Sequence, residues 1–222
     1  MAIEVETKDC SAVSDDELEE MTLVAGEEGA LVHTTEALGE ELSKWVLVTL
    51  VRDGSRLHAS ATCTLERVGG TPAVLMGVGA VRRTTKRSTA LKALVADQMR
   101  RAVLAFPDED VLVGARVGGA GGMEVFSSFP DTVPRPGYDA SGEDRAWGNR
   151  LYKRFSPAGD YAKREFRIAG DGTQAVVVDH EPLDPAKVDA DVAAMFDDID
   201  PTSGDSLIVF SWAMAEYLEK LL

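Results

Sequence analysis

The chain has 222 residues and a formal net charge of −15; with 45% hydrophobic and 27% charged residues it can fill one buried core, which excludes a disordered polyelectrolyte. So acidic a composition disfavours nonspecific binding to nucleic acid or anionic membrane, and no apolar run approaches the ~20 residues that span a bilayer. Two cysteines, Cys10 and Cys63, with no CxxC spacing supply neither a disulfide framework nor a thiolate metal cage, so both are expected as free, inert thiols.

The first residues are acidic where a secretory signal would be basic and then apolar, so a cytoplasmic location is expected. Ile3 and Val5 alternate with polar neighbours as in a short strand. Ser14-Asp15-Asp16-Glu17 has the capping-box pattern and opens a helix to about Ala25, broken over residues 26–29. Thr34 or Thr35 caps a second helix to Ser43. Residues 45–51 are β-branched and apolar, Asp53-Gly54 is a hairpin turn, and Leu57, Ala59, Ala61, Cys63 and Leu65 alternate. Gly69-Gly70 turns the chain into a third strand over residues 73–81, so uniformly apolar that it belongs at the centre of a sheet. Gly77 and Gly79 within it predict a bulge, or close approach by another backbone or a ligand.

Leu91, Leu94, Val95, Met99, Ala102, Val103 and Phe106 form one stripe at helical spacing, ended by Pro107. Residues 111–115 return to strand. Residues 116–143, rich in Gly and Pro, predict a short helix between long loops, with Gly118 to Gly122 as a flexible loop. Residues 147–155 read as helix, 166–168 and 175–178 as strands, 188–196 as helix, and 206–212 as a late strand before a closing helix. An antiparallel meander joined by one crossover helix to a following strand makes an α+β fold: a mixed, mainly antiparallel sheet with helices on both faces.

Between that central strand and the striped helix lies the one strongly basic stretch. Residues 82–101 hold Arg82, Arg83, Lys86, Arg87, Lys92, Arg100 and Arg101 against a single acid, Asp97. Cations at a helix N-terminus oppose the helix dipole, whereas an anion there meets unpaired N–H groups, so the cluster points to an anionic ligand. Pairing with the chain's many carboxylates is the other reading of the same residues.

The element order, together with this strand, basic turn and helix, resembles the GCN5-related N-acetyltransferase (GNAT) family. The resemblance implies a bulged, splayed strand that hydrogen-bonds the pantetheine arm of acyl-CoA, and a turn whose N–H groups cradle its pyrophosphate. It places the co-substrate, acetyl-CoA or another acyl-CoA, at Val78, Gly79, Ala80, Val81, Arg82, Arg83, Lys86, Arg87, Ser88, Thr89 and Ala90. The family's Arg/Gln-x-x-Gly-x-Gly/Ala motif is departed from: Ser88-Thr89-Ala90 stands in the Gly-x-Gly/Ala place, with Thr85 at the leading position.

For direct acyl transfer the family uses a general base, often Glu, and frequently a Tyr to protonate the leaving thiolate. The residues weighed for those roles are Glu66 at a strand end, Tyr152 in a segment faintly like the family's Leu-Tyr-x-Lys-x-Gly-Phe, and Tyr138 in the Pro-rich loop, each with a structural role as the alternative. His33, His58 and His180 show no metal spacing, and His58 is out of phase with Ala59, toward solvent. Residues 1–155 are expected to form the acyl-CoA-binding core and 156–222 an extension completing or flanking the same sheet. The expected acceptor is a small-molecule or protein amine, closed over by residues 116–143. A homodimer is allowed for, and neither nucleic acid nor membrane is expected as a partner. The alternative is a catalytically inactive GNAT-like module that binds a ligand or a partner.

Overall fold

A computed structural model of the chain describes residues 3–26, 34–178 and 184–218. The alternating and apolar runs form strands. β1 (Ile3–Asp9), β2 (Leu47–Asp53), β3 (Arg56–Val68) and β4 (Thr71–Val81) make an antiparallel meander. Gly69 and Gly70, at φ 61° and 90°, take the left-handed conformations that a tight hairpin connection requires. α3 (Arg87–Ala105) then crosses over, and β5 (Val111–Val117) returns parallel to β4. β6 (Asp160–Ala162), β7 (Arg167–Ala169) and β8 (Ser206–Ala213) complete one eight-stranded sheet in the order β1-β2-β3-β4-β5-β8-β7-β6. Among the described strands β4/β5 is the one parallel ladder, so the sheet is mixed and mainly antiparallel, as expected.

Helices cover both faces. The predicted stripe of α3, with Leu94 and Met99 all but fully buried, packs on Val74, Met76, Val111 and Val113. Each such side chain contributes about 1.5–3 kcal/mol by leaving water. On the other face lie α1 (Asp15–Gly26), α2 (Thr35–Leu42) and α4 (Gly142–Phe155). The capping box at Ser14 is made, with Glu17 N–H to Ser14 Oγ at 3.3 Å and Ser14 N–H to Glu17 Oε2 at 2.9 Å. Thr34 caps α2. α4 begins earlier than the apolar pattern indicates, because Ser141 and Asp144 form a second capping box.

Five expectations need correction. The Gly118–Gly122 run is no flexible loop: Ala120–Phe126 is a 3-10 helix with Gly121 and Gly122 buried. The helix over residues 188–196 shrinks to α5 (Ala190–Ala194), which follows a 3-10 turn at Pro185–Lys187. Residues 175–178 form no sheet strand, only isolated bridges. β6 has too short a run to show periodicity and was not anticipated. His58 is buried, because β3 is covered on both faces there by the helical layers. His33 and His180 lie outside the described residues, as do residues 27–29 of the expected helix break. The closing helix is α6 (Ala215–Leu218). No helix among the described residues is long and apolar enough to cross a membrane.

Candidate functional site

The bulge predicted from Gly77 and Gly79 is present. β4 slips register against β3 between the pairs Cys63–Met76 and Ala61–Gly79, so two residues of β4 face one of β3. Gly77 is required by close approach: a Cβ there would run into the Trp45 indole and Thr62 Oγ1. Pairing with β5 ends at Met76–Ala115, and beyond it the two parallel strands splay.

The splay is filled by the chain itself. Val178 bridges Gly79 on one side and Val117 on the other, both in parallel sense, and its N–H donates to Arg116 O at 3.0 Å. Ala175, Val177 and Val178 are buried, and Ala175 N–H donates to Pro201 O at 2.8 Å. The run Ala175-Val176-Val177-Val178 is visible in the sequence as a strand candidate, but its place between β4 and β5 is not.

Past Val81 the chain makes a tight turn into α3: Thr84 N–H donates to Arg82 O and Arg87 N–H to Thr84 O, each at 2.9 Å. Lys86, the residue before α3, gives the helix no side-chain cap. The amides of exposed Ser88 and Thr89 accordingly have no acceptor among the described residues, while buried Ala90 N–H bonds to Lys86 O. Thr84, Thr85, Arg87 and Ser88 form one wall of a cavity of about 420 Å³. Met123, Glu124 and Ser127 form the second wall, and Lys187, Asp189 and Val192 the third.

Six of the seven cations grouped by the sequence, Arg82, Arg83, Lys86, Arg87, Arg100 and Arg101, are engaged within the chain. Arg82 is buried and donates Nε to Leu57 O at 2.7 Å. Lys86 pairs with Asp53 and holds that carboxyl below its usual range. Arg87 pairs through Nη1 with Glu124, and part-buried Arg83 is engaged as well. Arg87 is 3% exposed, yet its Nε and Nη2 have no hydrogen-bond acceptor among the described residues. Glu124 balances the charge of this buried guanidinium, but its two unused donors on the cavity wall are unsatisfied polar groups that a ligand could take up. Of the strand residues proposed for pantetheine, Val78 and Ala80 pack toward α1 and α2, Val81 toward α3, and Gly79 meets Val178.

None of the three residues weighed for catalysis lines this cavity. Glu66 is held by Arg154 in a two-pronged pair at 2.6 and 2.7 Å. Tyr152 donates its hydroxyl to Gly159 O at 2.9 Å and stacks on Tyr161, ring centroids 4.8 Å apart. Tyr138 donates to Asp144 at 2.8 Å, which raises its hydroxyl pKa, and carries the Arg135 guanidinium 3.7 Å over its ring. No group of three or more metal-ligating side chains occurs among the described residues.

No family model matches the chain, and no curated protein sequence matches it. Solved structures similar to it include an N-acetyltransferase from Staphylococcus aureus Mu50, 10% identical, covering 95% of this chain and 97% of that one at a TM-score of 0.42. An acyl-CoA N-acyltransferase from Pseudomonas aeruginosa is 12% identical over 72% of this chain and 92% of its own, at 0.41. A Bacillus subtilis acetyltransferase in complex with CoA is 16% identical over 57% and 74%, at 0.39. Likenesses this slight carry no argument by themselves. The GNAT-like character of the fold rests on its own layout: the bulged central strand, the splay against its parallel neighbour, and the basic turn that opens the crossover helix.

Proposed function

We propose that the chain binds acyl-CoA at the N-terminus of α3 and acts as an acyl-CoA-dependent N-acyltransferase toward an amine. The observation that carries this reading is the uncapped helix start, where the Ser88 and Thr89 amides lie beside a cavity walled by Arg87 with two unused donors. Those groups suit a pyrophosphate: backbone N–H groups and a helix dipole take its charge, and a guanidinium adds directional donors. In the transfer itself the amine nitrogen bonds to the thioester carbonyl carbon, the C–S bond breaks, and CoA leaves as a thiolate that takes up a proton while the amine gives one up. The N–H groups of β4 beyond the bulge are the proposed partners of the pantetheine arm, and reaching them requires residues 175–178 to withdraw.

A second reading, a GNAT-like module that binds a ligand without turnover, is favoured by that filled splay and by the engagement of Glu66, Tyr152 and Tyr138 in structural bonds. Calorimetric titration with acetyl-CoA, followed by thiol release across a panel of primary amines, tests both readings. Submillimolar binding with amine-dependent thiol release is expected. Binding without release would select the module, and no binding at millimolar acetyl-CoA would reject both as acyl-CoA proteins.

A further inference from the structure

A second cavity, of about 470 Å³, opens on the α2/α4 face of the sheet, away from α3. Alternation along β5 places it. Val111, Val113, Ala115 and Val117 face α3, so Leu112, Gly114 and Arg116 face the other way. Gly114 lets Leu151 of α4 sit directly over the strand, with Leu151 methyls 3.1 and 3.2 Å from where its Cβ would be. Arg116, two residues further along, lines the cavity together with Phe155 at the end of α4. A recess of about 30 Å³ lined by Arg116 and Phe155 also reaches Trp45, Gly77 and Glu41, so two aromatic rings and one carboxylate border the Arg116 side chain. The Trp45 and Phe155 rings lie 6.2 Å apart, centre to centre.

Among the described residues Arg116 makes no direct ion pair. Its Nε and Nη2 donate to Ser206 Oγ at 3.3 and 3.2 Å, and no carboxylate among the described residues pairs with it. Two donors of a guanidinium's five are thereby used, and on a neutral hydroxyl. The nearby Glu41 is already occupied, by Lys44 Nζ at 2.6 Å and Trp45 Nε1 at 3.1 Å. Arg154, on the same cavity, is matched by Glu66. Burial lowers the Arg116 guanidinium to about 10, with Glu41 acting in the opposite sense. It remains charged at neutral pH and is poorly solvated, which is the state that a bound anion relieves.

We infer that this cavity is a binding site for a small organic carboxylate, held by Arg116 through its free donors with the apolar body of the ligand against Phe155 and Trp45. A single guanidinium fork matches one carboxylate, and Glu41 and Asp171, which also line the cavity, repel a phosphate dianion more strongly than a monoanion. The site does not depend on the acyl-CoA reading: carboxylate binding by a chain that ignores acetyl-CoA would reject only the latter.

The test is ligand-observed NMR on the full chain at pH 7 with benzoate, phenylacetate and hexanoate, each paired with its neutral amide, and with inorganic phosphate. At least one carboxylate is expected to bind 10-fold or more tightly than its amide, and R116Q and R116M are expected to abolish that difference. The inference is overturned if no carboxylate binds, if amides bind equally well, if phosphate alone binds, or if both variants keep the preference. Because the acid-against-amide comparison is made on the unaltered protein, its failure overturns the inference even if neither variant folds. If neither folds, a carboxylate displaced by acetyl-CoA is bound at α3 and also overturns it.

Discussion

Replacing Ser88 by Asp separates folding from anion binding, because the same charge acts in opposite senses on the two. Ser88 is the second residue of α3, exposed, and its amide has no partner among the described residues. An acid in the first turn meets the positive end of the helix dipole, so S88D should gain about 0.3–1 kcal/mol of stability. A phosphate held at the same amides would lie ~5 Å from the new carboxylate; at an effective dielectric of roughly 40–80 the repulsion is about 0.8–1.7 kcal/mol per unit charge. That corresponds to roughly 4- to 18-fold weaker acetyl-CoA binding. The effect should shrink as salt is raised, since the site is open to solvent. Calorimetry gives the affinity and a thermal melt the stability, with Ser88→Asn as the uncharged control. If S88D melts at or above the wild-type temperature yet binds acetyl-CoA with unchanged affinity, the anion does not sit at the start of α3.

Two further outcomes follow from packing and titration. Gly77→Ala should destabilise the fold by about 1–3 kcal/mol in urea unfolding, because the added methyl collides with Trp45 and Thr62; a change under about 0.5 kcal/mol would mean that the indole is not locked against β4. Lys8 and the Ser14 amide hold the Glu17 carboxyl down at about 2. Its folded value lies below its unfolded one, so its contribution is present above about pH 4.5 and is lost as pH falls toward 2. Glu17→Gln should therefore lose less stability across that window than the wild type, and superimposable acid-unfolding curves would refute the pairing.

Much of the fold was legible because it is local. Ser14 with Glu17, Gly69 with Gly70, and the stripe from Leu91 to Phe106 each encode their geometry within a few turns of chain, where periodicity and turn stereochemistry operate. Where that signal is short or broken, the reading failed: β6 spans three residues, and the glycine run packs as a 3-10 helix because its neighbours close over it. The candidate site was legible only as a cluster of like charge.

The chain by itself therefore determined the bulged central strand, the basic turn after it and the amphipathic helix that follows. The tertiary structure decided what those residues face. Lys86 finds Asp53 across 33 positions and Arg87 finds Glu124 across 37, so the basic turn is largely neutralised, while the Ser88 and Thr89 amides and the unused donors of Arg87 stay open to an anion. Residues 175–178 fill the splay, and Arg116 is left facing a cavity with no direct ion pair among the described residues. These are pairings between distant parts of the chain, set by closure of the sheet and by the free energy of burying charge, and neither is written in any short window of sequence.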